Sequence, residues 1–138
     1  MRLNDTQQLL ETALRQSAYL NSLYHGDPYD QWNNAEVGYV SACYELQQVE
    51  TTENTKRYHF IVYVADRLTE DGSNEVYALD ASEGVLDAAL QYIRATNEPD
   101  IVDVEATYYY PFSQKFADIV AGYYATIVIE VRKSINIC

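Results

Sequence analysis

The stretch His59–Asp80, HFIVYVADRLTEDGSNEVYALD, decides how this chain folds. Together with Tyr58 before it, its first half alternates: Tyr58, Phe60, Val62 and Val64 share one side, His59, Ile61, Tyr63 and Ala65 the other, which is the period of a β-strand. Neither side is polar enough for full solvent exposure. One face can meet helices, and the other wants a second cover, which a neighbouring subunit could supply. At Asp66 the pattern gives way to the acidic segment RLTEDGSNE, where Asp71-Gly72 marks a tight turn. The following EVYAL, residues 75–79, reads as a short third strand.

Working outward, Val37–Val49 suits the partner strand, with Val40, Ala42, Tyr44 and Leu46 alternating toward one side. ETTENTK, residues 50–56, is the hairpin connection, and Arg57–Ala65 is the return strand. Upstream, residues 4–26 read as one helix. Leu10, Ala13, Leu14, Ser17 and Ala18 make its apolar stripe, Leu9 and Leu20 flank it, and Asn4 with Gln7, or else Asp5, supplies the cap. Gly26 and Pro28 end it. GDPYDQWNNAEV is a loop by composition, with Tyr29 and Trp32 folded back over the core or, if exposed, anchoring a neighbour.

Downstream, Ser82 is placed as the cap of a second helix carrying Leu86, Ala89, Leu90 and Ile93 inward, ended by Asn97, Pro99 and Asp100. A second strand pair closes the chain. In IVDVEATYYY, Val102, Val104, Ala106 and Tyr108 oppose Asp103, Glu105 and Thr107. After the connection PFSQKFADIVAG, YYATIVIEVRK sets Tyr123, Ala125, Ile127, Ile129 and Val131 against Tyr124, Thr126, Val128, Glu130 and Arg132. The expectation is an α+β fold: a mainly antiparallel β-sheet sandwich with two helices packed on it, in the order α-β-β-β-α-β-β, as one domain over residues 1–138.

The composition bounds the function. With 21 acids against 9 bases the formal charge is -12, which opposes attraction to DNA or anionic membranes. Acidity keeps a protein dispersed; it also suits a conduit past which a polyanion must slide without sticking. Fourteen tyrosines favour a sheet-rich protein with wettable aromatic surface. Cys43 and Cys138 make no disulfide framework, with Cys43 unreactive in a strand and Cys138 on a tail. The polar NDTQQ after Leu3 gives no cleavable signal, and no apolar run reaches the roughly 20 residues of a membrane span. Synthesis in a reducing cytoplasm is the simplest inference.

No pattern carries catalysis, so the expectation is no enzyme, no cofactor and no metal. His25 and His59 lack partners at ligand spacing, and Asp66, Glu70, Asp71 and Glu75 follow a strand without calcium-loop spacing. Neither a nucleophile elbow nor a phosphate loop is present. Asp66 and Arg67 at the strand end read as an ion pair that fixes geometry or partner choice. Lys56-Arg57 and Arg132-Lys133 either balance surface charge or meet acids of a neighbouring copy, such as those of TEDGSNE.

VYVADRLTEDGSNE and FADIVAGYYATIVIEV, with Asp118 and Ala121-Gly122 before a long final strand, together with the order of elements, resemble the ring-forming neck proteins of tailed bacteriophages: the tail terminator or tail completion group and head-tail connectors, including those of crAss-like phages. That resemblance implies a non-enzymatic, tail-terminator-like virion protein. It would form a hexameric or dodecameric ring, meet portal, connector or tail-tube proteins, and leave an acidic channel through which genomic DNA passes unbound. No membrane is involved. The candidate subunit-interface residues are Tyr29, Trp32, Ile61, Tyr63, Asp66, Arg67, Glu70, Asp71, Asn74, Glu75, Arg132 and Lys133. The alternative is a binding module in which Tyr24, Tyr29, Trp32 and Tyr39 line a pocket for a peptide or small apolar ligand.

Overall fold

The computed structural model of the chain describes residues 1–33 and 36–133; Cys138 and part of the loop after Trp32 lie outside them. Along the chain run α1 (Leu3–Leu14), β1 (Ser22–His25), α2 (Pro28–Trp32), β2 (Ser41–Thr51), β3 (Thr55–Arg67), α3 (Glu75–Ala95), β4 (Ile101–Glu105), β5 (Tyr110–Lys115) and β6 (Ile119–Arg132). The strands form one sheet in the order β1-β2-β3-β6-β4, and β5 joins β6 along the same edge as β4. Only β1 and β2 run parallel. The fold is therefore α+β, as a mixed sheet with helices packed on it, rather than a sandwich of two sheets.

The alternation in β3 and β6 holds as expected. Tyr58, Phe60, Val62 and Val64 of β3, with Ala125, Ile127, Ile129 and Val131 of β6, are buried under α1 and α3 in the main core. α3 contributes Val85, Leu86, Ala89, Leu90 and Ile93, while α1 contributes Leu10, Ala13 and Leu14. Leucine, isoleucine and phenylalanine side chains in that layer are worth about 1.5–3 kcal/mol each on burial. Among the described residues no helix is long and apolar enough to cross a membrane.

The expected first helix is too long. α1 ends at Leu14, and the chain then turns because Ser17 Oγ accepts the Tyr19 N–H at 3.2 Å and Asn21 donates to the Tyr39 carbonyl at 2.6 Å. Short polar side chains that bond nearby backbone compete with helical hydrogen bonds. The released segment forms β1 instead. The start of α1 is capped at neither Asn4 nor Asp5 but at Arg2, two residues before Asn4, with the Asp5 carboxylate accepting the Arg2 N–H at 3.2 Å.

The third expected strand is absent, because EVYAL is the first turn and more of α3. Ala78, Ser82, Val85, Leu86 and Ala89 are buried at helical spacing, and tertiary burial of that stripe outweighs the β propensity of Val76 and Tyr77. Ser82 is thus no cap; it is buried within the helix, its hydroxyl bonded to the Ala78 carbonyl at 2.8 Å.

Two further boundaries move. PFSQK, expected as connection, pairs with β6 as β5, so β6 begins at Ile119. In β4 the register slips between Ile101 and Asp103, which leaves Val102 as the extra residue of a bulge and 48% exposed, although Val104 is buried.

Candidate functional site: the open face of the sheet

Both long helices lie on one face of the sheet, so the opposite face decides what the protein can bind. At one end the chain covers it by itself. The short helix α2 is started by Pro28 and by the Asp27 carboxylate, which accepts the Tyr29 N–H at 2.6 Å, and it drives Trp32 down onto β2. Trp32 is fully buried, donates its indole N–H to Ser41 Oγ at 2.9 Å, and packs against Tyr39, Phe112 and Phe116. Val37, Cys43, Ala65 and Val120 complete this second small core. Burial pushes the Cys43 thiol up, which keeps it protonated.

The remainder of that face is only partly covered. Across it the register places Cys43, Tyr63, Tyr124 and Tyr110 in one row, and Glu45, Ile61 and Thr126 in the next. The rings of Tyr63 and Tyr124 lie 5.6 Å apart and those of Tyr124 and Tyr110 stack at 5.2 Å, a ladder of cross-strand aromatic pairs. Beside it, where β4 and β5 leave the edge of β6 between them, Glu105, Thr107, Tyr108, Tyr110, Thr126 and Val128 line a groove of about 190 Å³. Its walls offer ring faces, hydroxyls and one carboxylate.

Farther along, at the hairpin end, the open face is charged. Arg57 reaches Glu105 at 2.6 Å and Glu50 at 3.5 Å, and His59 Nε2 lies 2.6 Å from Glu50 Oε1 without hydrogen-bond geometry. Thr55 donates to Glu130 at 2.8 Å. Half-exposed pairs of this kind contribute about 0–1 kcal/mol each, so they orient side chains more than they stabilise the fold. Among the described residues no group of three histidine, cysteine or acidic side chains is arranged to hold a metal.

The candidate interface residues scatter over the fold. Ile61 and Tyr63 lie half-covered on the open face, and Tyr29 sits at its margin, 55% exposed against Phe116. Trp32 is interior to its own chain, out of reach of any neighbour while its aromatic cluster is intact. The expected pair between Asp66 and Arg67 does not form, because adjacent strand residues point to opposite faces. Asp66 instead accepts the Arg67 backbone N–H at 2.8 Å, and the Arg67 side chain pairs with Asp118 at 3.4 Å and lies over the Tyr39 ring. Glu70 and Asp71 are exposed on the turn beyond β3, Asn74 is partly covered, and Glu75 is exposed as the first residue of α3; Arg132 ends β6 at the other pole, with Lys133 just beyond it. Of Tyr24, Tyr29, Trp32 and Tyr39, Trp32 is buried in the chain's own second core with Tyr24 and Tyr39 packed against it, and Tyr29 stays exposed at the margin.

The chain matches no protein-family model and no curated protein.

The groove between β4 and β5 was not legible in the sequence. Its only signal was the run Thr107–Tyr110, whose strand alternation concealed a break, and β5 itself contains Pro111 and Ser113, which read as a connection.

Proposed function

We propose that this chain is a structural subunit that assembles with copies of itself, and that its place is the ring at the head-tail junction of a tailed phage. Such a ring, hexameric or dodecameric, joins or caps the tail tube, meets portal, connector or tail-tube proteins, and passes DNA without binding it. The observation that carries the reading is one-sided packing: α1 and α3 cover one face of the sheet, while Ile61, Tyr63, Tyr124 and Tyr110 stay partly exposed on the other. The tyrosine-rich surface supports it, because tyrosine gives large contact area and tolerates water before assembly. The charge of -12 supports a wall past which a polyanion slides, since attraction would hold it.

Native mass measurement and sedimentation of the purified chain at high concentration, with two-dimensional averages of any large species, test this reading. Closed rings are the expected result. A chain that stays monomeric both alone and when mixed with a phage portal or tail tube overturns it.

A further inference from the structure

The charges are segregated along the strands. Although acids exceed bases 21 to 9, Arg2, Lys56 and Lys133 converge on one groove of about 590 Å³, floored by Tyr58 and Thr51, with no carboxylate among its lining side chains. Met1 also borders it, with its ammonium engaged by Asp100 at 3.3 Å. Arg15, Arg57 and Arg67 are spent on carboxylates of their own chain. Arg2, Lys56 and Lys133 form no ion pair among the described residues, so the groove has positive charge to offer.

The counterpart lies at the opposite pole. β3 runs from Lys56, at the groove, to Arg67, about 36 Å away at roughly 3.3 Å per residue. The turn beyond it exposes Glu70, Asp71 and Glu75, with no base between residues 68 and 75. That turn is already ordered. Asn74 accepts the Thr69 N–H at 2.8 Å and donates to the Arg67 carbonyl at 3.0 Å; Asp71 accepts the Ser73 N–H at 3.0 Å and the Thr69 hydroxyl at 2.8 Å. Gly72 supplies the left-handed residue at φ 69°. A preformed acidic turn loses little conformational freedom on docking. Turn and groove sit at opposite ends of one strand, so they cannot meet within one subunit.

We propose that copies associate head to tail, the acidic turn of residues 69–75 in one copy seating in the groove of Arg2, Lys56 and Lys133 in the next. The contact is heterologous, so repetition either closes a ring or extends a filament. It gives two subunits of like net charge a local attraction that sets register and direction. This rests on the self-assembly reading above and specifies the surfaces that reading leaves open.

The test is charge exchange in the full chain, read by sedimentation. Wild type is measured first. Lys56→Glu with Lys133→Glu, and separately Glu70→Lys with Glu75→Lys, each weaken association at least tenfold, whereas the chain carrying all four changes associates within about threefold of wild type. Asp71 is left alone because it holds the turn. Thermal unfolding checks each variant, and Lys56→Gln with Lys133→Gln replaces the first pair if that one fails to fold. A wild type that never associates defeats both this inference and the self-assembly reading. An associating wild type unmoved by either reversal, or weakened by both without recovery in the fourfold variant, defeats the docking alone.

Discussion

Gly122 offers a sharp test of how closely β3 and β6 pack. It lies in β6 opposite Ala65 of β3 and beside Phe112 of β5, and a Cβ added there would stand 1.9 Å from the Val64 carbonyl oxygen and 2.6 Å from the Ala65 Cα. Both obstacles are backbone of the central strand, so no side-chain rotation relieves them. Overpacking a core costs about 1–3 kcal/mol, and a clash with strand backbone belongs at or above the upper end, about 3 kcal/mol. Unfolding entropy of roughly 2.1 cal/mol/K per residue comes to about 0.3 kcal/mol/K for the whole chain, so Gly122→Ala lowers Tm by about 10 °C. Gly84 is the internal control. It sits within α3, where an added Cβ would meet only the Tyr19 ring at 3.9 Å, so Gly84→Ala stabilises by about 0.5–1 kcal/mol through helix propensity. Chemical denaturation of the two variants reads both. A Gly122→Ala chain within about 0.5 kcal/mol of wild type, or two changes of the same sign, refutes the packing argument.

Ser82→Ala separates a helix interior from a helix cap: a lost cap costs about 1 kcal/mol, whereas the buried interior position in α3 predicts no loss or a gain of about 0.5 kcal/mol by denaturant titration. Trp32, the only tryptophan and fully buried, emits blue-shifted fluorescence that moves red on unfolding, and Trp32→Ala destabilises by about 3–5 kcal/mol; native emission resembling free tryptophan contradicts the second core. Burial, aided by Asp118, pushes the Tyr39 hydroxyl up to about 12 from its ordinary 10.0. The folded form therefore holds that proton more tightly, and the resulting stability is complete below pH 10 and lost as pH rises from 10 to about 12. Tyr39→Phe should flatten that part of the stability profile, and an unchanged alkaline limb assigns the loss to other groups.

Part of this architecture was open to inspection in the residues alone. The central strands were legible because one face is buried under the helices and the other only partly covered, which writes a period-two pattern into the residues, as in Tyr58 to Ala65 and Tyr123 to Val131. Short segments misled. SLYH reads as the tail of a helix until Ser17 and Asn21 divert the backbone, and EVYAL reads as a strand although its stripe continues into α3. Bulges and edge strands such as β4 and β5 have too few residues for a pattern to survive one inserted position.

By itself the sequence determined the acidic balance, the hairpin of β2 and β3 with its alternating faces, the acidic turn after Arg67 and the absence of any motif with catalytic spacing. Only the tertiary structure decided that both long helices share one side, that Trp32 closes part of the other, and that Lys56 and Lys133 meet Arg2 in one groove while their sequence neighbours Arg57 and Arg132 project to the opposite face. Local pattern fixes which way a side chain points from its own strand. Which distant side chains stand beside it depends on strand order and on where each helix is laid down, and these are set by packing among residues far apart in the chain.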